Sequence, residues 1–271
     1  MKTKLVVLLF FVFGFAFSQN QKVTVFKIET LQLNADVFFG YDSFGYYYFS
    51  KNNVLFKQKG KVQFQYQNLN LGKITSIDIL NPLKIVIFYE DFNSCILIDN
   101  QFNEIQKIEF SNYKEPINAN FIGMASNNSL WVYNTNNQQI GLFNFLTNSY
   151  KSLGQPLKNA PIVCQNDFNI FQWIDEKGIW NSCDIYGKIS QFGSIQDKTN
   201  VQFLDDSKYI YHLKSGDKLL KEGLYYQDIK SNTMPYKIEI VEKTFENFYY
   251  KDQILSIFTN QQITNYKIQL P

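Results

Sequence analysis

Apolar and aromatic runs of four or five residues, bounded by Asn, Asp, Gly and Ser, recur along this chain at 46–49, 85–89, 130–133, 170–174, 209–213 and 254–258. Their starting points are spaced by 39, 45, 40, 39 and 45 residues. Between them the stripe at i, i+3, i+4 and i+7 that marks an amphipathic helix is absent, and each run is followed by a polar turn and another short run. Evenly spaced strands with a period near 40 residues predict four-stranded propeller blades, whereas a sandwich has strands at short spacing without that longer period.

Six such units fit the chain. The second reads GKITSIDILNP, LKIVIFYEDFN, SCILIDNQFN and EIQKIEFSNYKEP, and the sixth supplies three strands only, FENFYYKD, QILSIFTNQ and QITNYKIQLP. Its missing fourth strand lies at the other end of the sequence in KVTVFKIET, residues 22–30, where Val23, Val25 and Lys27 alternate with Thr24, Phe26 and Ile28. Pairing that segment with the last blade closes the ring and removes two strand edges. The expected fold is all-β, a six-bladed β-propeller with four-stranded antiparallel blades, closed by the N-terminal mature strand.

Residues 1–18, MKTKLVVLLFFVFGFAFS, combine basic Lys2 and Lys4 with an apolar stretch at 5–17 and small Ala16 and Ser18 before Gln19. This pattern is a secretory signal peptide, because the apolar stretch is shorter than the roughly 20 residues a membrane span requires. The division expected is a signal peptide over 1–18 and one propeller domain over 19–271. The chain stops on its last predicted strand, so the mature protein is expected to be periplasmic, held at an outer membrane by a partner, or released.

Charge narrows the partners. All 26 basic residues are lysine, and removing the signal takes away Lys2 and Lys4 and no acid, leaving 24 lysines level with 24 acidic residues. Nucleic-acid binding draws on a basic surplus and on arginine forks, so that class is excluded. The AT-rich codon bias in Lys, Asn, Ile, Phe and Tyr, with a signal ending Phe-Ser-Gln, resembles envelope proteins of flavobacteria and their relatives. Cys95, Cys164 and Cys183 form no CxxC pattern, and one histidine, His212, is too few for a zinc site. The cysteines read as buried apolar residues, and Cys164 and Cys183, separated by an intervening strand, are too far apart to bridge. No metal or cofactor is expected.

The third unit carries a phrase, Leu130-Trp-Val-Tyr-Asn134-Thr-Asn-Asn137-Gln-Gln-Ile140-Gly-Leu-Phe-Asn144, that resembles the NHL-type propeller repeat. Glu90-Asp-Phe-Asn93 echoes it, while Asn134, Asn136 and Gln139 replace the family's usual Asp, Gly and Arg. The resemblance implies a propeller whose turns after each second strand share one face with the blade-to-blade connections. Candidate binding residues on that face are Lys51, Asn53, Glu90, Asp91, Asn93, Asn134, Asn137, Asp175, Glu176, Lys214, Asp217 and Asn260. The same residue types also occupy tight turns for backbone reasons.

Catalytic chemistry is sparse. His212 follows Asp205 and Asp206, a histidine beside a possible carboxylate orienter, yet no nucleophile motif accompanies it and a packed or solvated histidine is the plainer reading. Adjacent acids such as Glu90 and Asp91 point to opposite faces of extended chain. Trp131 and Trp173, inside second strands, are expected between blades. The sequence therefore favours a non-catalytic binding or scaffold module for an envelope protein or peptide. The alternative is a glycan site at the channel mouth with aromatic side chains above it.

Overall fold

In a computed structural model the described residues are 22–113, 115–195, 200–214, 220–231 and 233–271. The expected signal peptide, residues 1–18, lies outside them. Six four-stranded antiparallel sheets are arranged as blades, with almost no helix. The chain enters through β1 (Thr24–Gln32) and builds blade 1 from β2 (Val37–Tyr41), β3 (Tyr47–Lys51), β4 (Val54–Lys59) and β5 (Val62–Tyr66). Blade 2 holds β6 (Ser76–Asp78), β7 (Lys84–Tyr89), β8 (Ser94–Asp99) and β9 (Glu104–Glu109). Blade 3 holds β10 (Ala119–Ala125), β11 (Ser129–Asn134), β12 (Gln139–Asn144) and β13 (Ser149–Leu153). Blade 4 follows with β14 (Pro161–Asn166), β15 (Ile170–Asp175), β16 (Ile179–Asp184) and β17 (Ile189–Ser194). Blade 5 comprises β18 (Val201–Phe203), β19 (Lys208–Leu213), β20 (Gly223–Asp228) and β21 (Tyr236–Ile238), and blade 6 has β22 (Asn247–Lys251), β23 (Ile254–Thr259) and β24 (Gln262–Gln269).

β1 completes blade 6 by pairing antiparallel with β24, from Thr24 opposite Gln269 to Gln32 opposite Gln262. Val23 is buried while Phe26 and Ile28 are exposed, as the alternation requires, until a bulge between Lys27 and Glu29 shifts the register. First strands contact one another at four blade junctions, β22 with β2, β6 with β10, β10 with β14 and β14 with β18, and Gln202 on β18 bonds Tyr250 on β22, so the first strands line the channel. Three of them carry a register irregularity near their start, between Phe38 and Gly40, Ala119 and Phe121, and Pro161 and Val163. An extra residue at each adds local twist to the inner strand.

The core lies between blades. Trp131 and Trp173 pack with Phe171 across the blade 3 and blade 4 junction, as expected. Trp180, at the start of the third strand of blade 4, is completely buried and stacks 4.7 Å from Phe203 of blade 5. In the aromatic run of β3, Tyr48 is fully buried and its hydroxyl donates to Asp42 Oδ2 at 2.9 Å.

All three cysteines are free thiols; Cys95 and Cys183 are buried, and Cys164 on β14 is separated from Cys183 on β16 by β15. Burial pushes the Cys164 and Cys183 thiols up to about 12 and raises Cys95 as well. Since the thiolate is the reactive form, the native protein at pH 8 should react slowly with an aromatic disulfide reagent and release three equivalents once denatured. A single equivalent after denaturation would mean that a bridge had formed. No helix among the described residues is long and apolar enough to cross a membrane.

Candidate functional site

The channel is tied together by side chains of the first strands. Asp78, at the end of β6, accepts from Leu80 N at 2.7 Å through Oδ1, and from Met124 N at 2.7 Å and Asn166 Nδ2 at 2.8 Å through Oδ2. Asn166 Nδ2 also donates to Met124 O at 2.9 Å. One carboxylate therefore joins blades 2, 3 and 4. Gln165 on β14 donates to Phe203 O and accepts from Phe203 N, each at 2.9 Å. Gln202 on β18 does the same to blade 6, donating to Tyr250 O at 2.6 Å and accepting from Tyr250 N at 2.7 Å. Asn247 Nδ2 then reaches Phe38 O of blade 1 at 3.3 Å. Burial raises the Asp78 carboxyl above its ordinary range, while the three donors hold the charged form.

These strands surround a cavity of about 520 Å³ whose lining includes Phe39, Asp78, Phe121, Gln202, Tyr249 and Tyr250. A cleft of about 340 Å³ lies between blades 6 and 1, lined among others by Glu29, Tyr41, Lys251, Asp252 and Asn265. Tyr249 belongs to both linings, and its hydroxyl donates to Tyr41 O at 3.2 Å. Gly40 makes that arrangement fit: it has φ +121°, and a Cβ there would stand 2.6 Å from the Tyr249 ring. The cleft is flanked by the turns after β2 and β22, and the channel cavity by the inner strand ends that lead into such turns, so both lie toward the face carrying the first-to-second strand turns.

The face expected from sequence is the opposite one, and its residues are largely engaged in the ring. Asn53, in left-handed conformation at φ 61°, donates to Gly72 O at 2.7 Å and accepts from Ile74 N at 2.8 Å. Asn93, at φ 46°, repeats this one blade on, donating to Ile117 O at 2.6 Å and accepting from Ala119 N at 2.9 Å. Each side chain thus clamps its turn to the segment that enters the next blade. Asn134 Oδ1 accepts from Asn118 N and Asn136 N, and Asp175 Oδ1 from Lys177 N and Ile179 N. Asn137 Oδ1 accepts from Gln139 N, Glu90 accepts from Asn120 Nδ2, and Lys51 pairs with Asp36 at 3.0 Å. Asp91, Glu176, Lys214 and Asn260 are exposed, and Asp217 lies outside the described residues.

The Asn93 clamp is testable. Asn93→Ala should lose about 2 kcal/mol, since it removes the buried ends of these bonds and places Ala in a left-handed turn. Asn93→Gly keeps the turn, so its smaller loss in urea denaturation isolates the clamp. Equal stability of all three proteins would contradict that role.

His212 is buried and stacks on Phe245 at 4.2 Å. Asp205 caps the turn into Ser207 and Lys208 and Asp206 pairs with Lys230, at the other end of β19. Of the packed and solvated readings open to a lone strand-end histidine, the structure shows the packed one. The inner-strand stitches Asp78, Asn166, Gln165 and Gln202 were missed by sequence reasoning, which looked to turns; the available signal was a polar residue recurring in the first strand of successive units.

No family model and no curated protein matches the sequence. Solved structures do. A catalytically inactive virginiamycin B lyase from Staphylococcus aureus with quinupristin matches with TM-score 0.61 and 14% identity, over 91% of this chain and 99% of the other. A member of the DUF4221 family from Bacteroides vulgatus gives TM-score 0.57 at 9% identity, over 93% and 99%. BamB from Moraxella catarrhalis gives 0.50 at 9%, over 90% and 100%. At such identities the likeness shows a propeller fold, which hosts unrelated functions.

Proposed function

We propose that this protein is an exported, non-catalytic binding propeller of the cell envelope that takes a protein or peptide partner. The observation carrying this reading is a set of exposed apolar side chains on the face where the cavities lie. Phe44, Leu83 and Phe168 stand in first-to-second strand turns, and Leu146, Tyr186 and Met234 in third-to-fourth strand turns of that face. Tyr186 is 87% exposed and Leu146 66%. These six outnumber Leu69, Phe92 and Val241 on the opposite face, and apolar side chains set among polar turns suit a partner surface. The channel's polar groups, meanwhile, are already used to hold blades together.

Export is supported by the signal pattern at 1–18, the NHL-like type by the Asx turn of Asn134 within the phrase that resembles that repeat, and the likeness to flavobacterial envelope proteins by the composition. The opposite face, with Asp91, Glu176, Lys214 and Asn260, is the second candidate surface. A glycan reading rests on the aromatic and amide lining of the channel cavity, where Tyr249 and Tyr250 stand beside Gln165 and Gln202.

The test is capture from envelope extract by the mature protein and two variants. Leu83→Asp with Tyr186→Asp alters the cavity face, and Asp91→Ala with Glu176→Ala alters the other. The proposal expects a stoichiometric protein captured by the parent and the second variant and lost by the first. Retention of glycan fragments without protein would replace it with the channel reading.

A further inference from the structure

We propose that the cleft between blades 6 and 1 is a binding site for a primary amine carried on an apolar body. The floor of the site is built from strand positions, and its rim shares the 42–46 turn with the partner surface above. Its floor is Ser256 on β23 and Asn265 on β24, which are 1% and 4% exposed. Ser256 Oγ donates to Asn265 Oδ1 at 2.7 Å, and Asn265 Nδ2 donates to Glu29 Oε1 and to Tyr41 Oη, each at 3.0 Å. The amide Nδ2 therefore fixes a carboxylate and a phenol at the cleft. Both are held from rigid central strands, which is how a preorganised site is supported.

The bulge in β1 supplies an independent sign. In a regular strand Ile28 and Glu29 would face opposite sides. Here the register shifts between Lys27 and Glu29, and Ile28 and Glu29 both line the cleft. Bulges re-aim side chains in this manner beside functional sites. The result sets an apolar side chain next to an acid, with Ile254 and the Tyr249 ring completing the apolar wall.

Charge selects the ligand. The Asp42 carboxylate is occupied by Phe44 N, Tyr46 N and the Tyr48 hydroxyl. The acids of the lining, Asp42, Glu29 and Asp252, face two ammoniums: Lys251, whose Nζ is 3.5 Å from Tyr41 O, and Lys59, whose Nζ donates to Phe44 O at 2.7 Å in the 42–46 turn. The surplus is negative, so a cation is favoured over a carboxylate of equal shape. Tyr41, raised to about 12 by burial, stays a neutral phenol at working pH and keeps its proton for an acceptor. The volume suits a ligand the size of a single aromatic amine.

Calorimetric titration of the mature protein at pH 7 with phenethylamine and its neutral counterpart phenethyl alcohol tests this. The amine should bind at least tenfold more tightly than the alcohol, and Glu29→Gln, which keeps an acceptor for Asn265, should weaken the amine about tenfold without moving the melting temperature. Ile28→Ser should weaken amine and alcohol together. Failure of the amine to bind, equal affinity for the two compounds, or a Glu29→Gln variant within twofold of the parent would overturn the proposal.

Discussion

Deleting residues 22–32 should abolish the cooperative monomeric fold. This is the largest effect the structure predicts, because that segment is the outer strand of the last blade and its only pairing is with β24. Without it β24 becomes an edge over eight residues, and Val23 leaves a core containing Tyr266 and Ile268, all nearly fully buried. The loss should exceed about 5 kcal/mol, comparable with the whole stability of many domains. A synthetic peptide of residues 22–32 added in trans should restore a sharp thermal transition whose midpoint rises with peptide concentration. A deletion variant that melts within a few degrees of the parent would show that closure by β1 contributes little.

Asp78→Ala comes next. The substitution strands Leu80 N, Met124 N and Asn166 Nδ2, three donors from three blades that now converge on one carboxylate. Each unsatisfied buried donor costs about 1–3 kcal/mol, and access to the channel cavity moderates the sum, so a loss of about 3 kcal/mol is expected. In a domain of this size that lowers the melting temperature by roughly 6–12 °C. The pH dependence has a definite sign. Burial raises the folded carboxyl, so the folded state binds the proton more tightly than the unfolded chain does. The parent should therefore gain on Asp78→Ala as pH falls through the folded value, with the gain complete near the unfolded value of about 3.9. A gap that narrows on acidification would contradict the burial of this group. Gly123 guards the same junction, since a Cβ there would stand 2.2 Å from Asn166 Oδ1.

The ring and its closure were legible because blade strands alternate with period two and repeat near 40 residues, and both patterns are local. KVTVFKIET could be matched to the last blade by elimination: three strands needed a fourth. Its bulge was not legible, since Lys27, Ile28 and Glu29 carry no Gly or Pro to mark it, and the register follows from pairing with Tyr266 and Asn265 some 236 residues away. The turn amides were recognised, but sequence could not say whether Asn53 and Asn93 face a partner or the next blade; the left-handed backbone at each turns the side chain toward that blade. The channel stitches were hidden for a related reason. Asp78 and Asn166 are 88 positions apart, and nothing in their spacing reveals that two blades bring them within 2.8 Å.

Hydrogen exchange of the propeller, alone and in complex with a protein recovered by the envelope capture, tests the proposed partner face most directly. The account predicts new protection in the turns at 42–46, 79–83 and 167–169, with the turns at 90–93 and 134–138 unchanged. Protection confined to 90–93 and 134–138 would place the partner on the opposite face and contradict it.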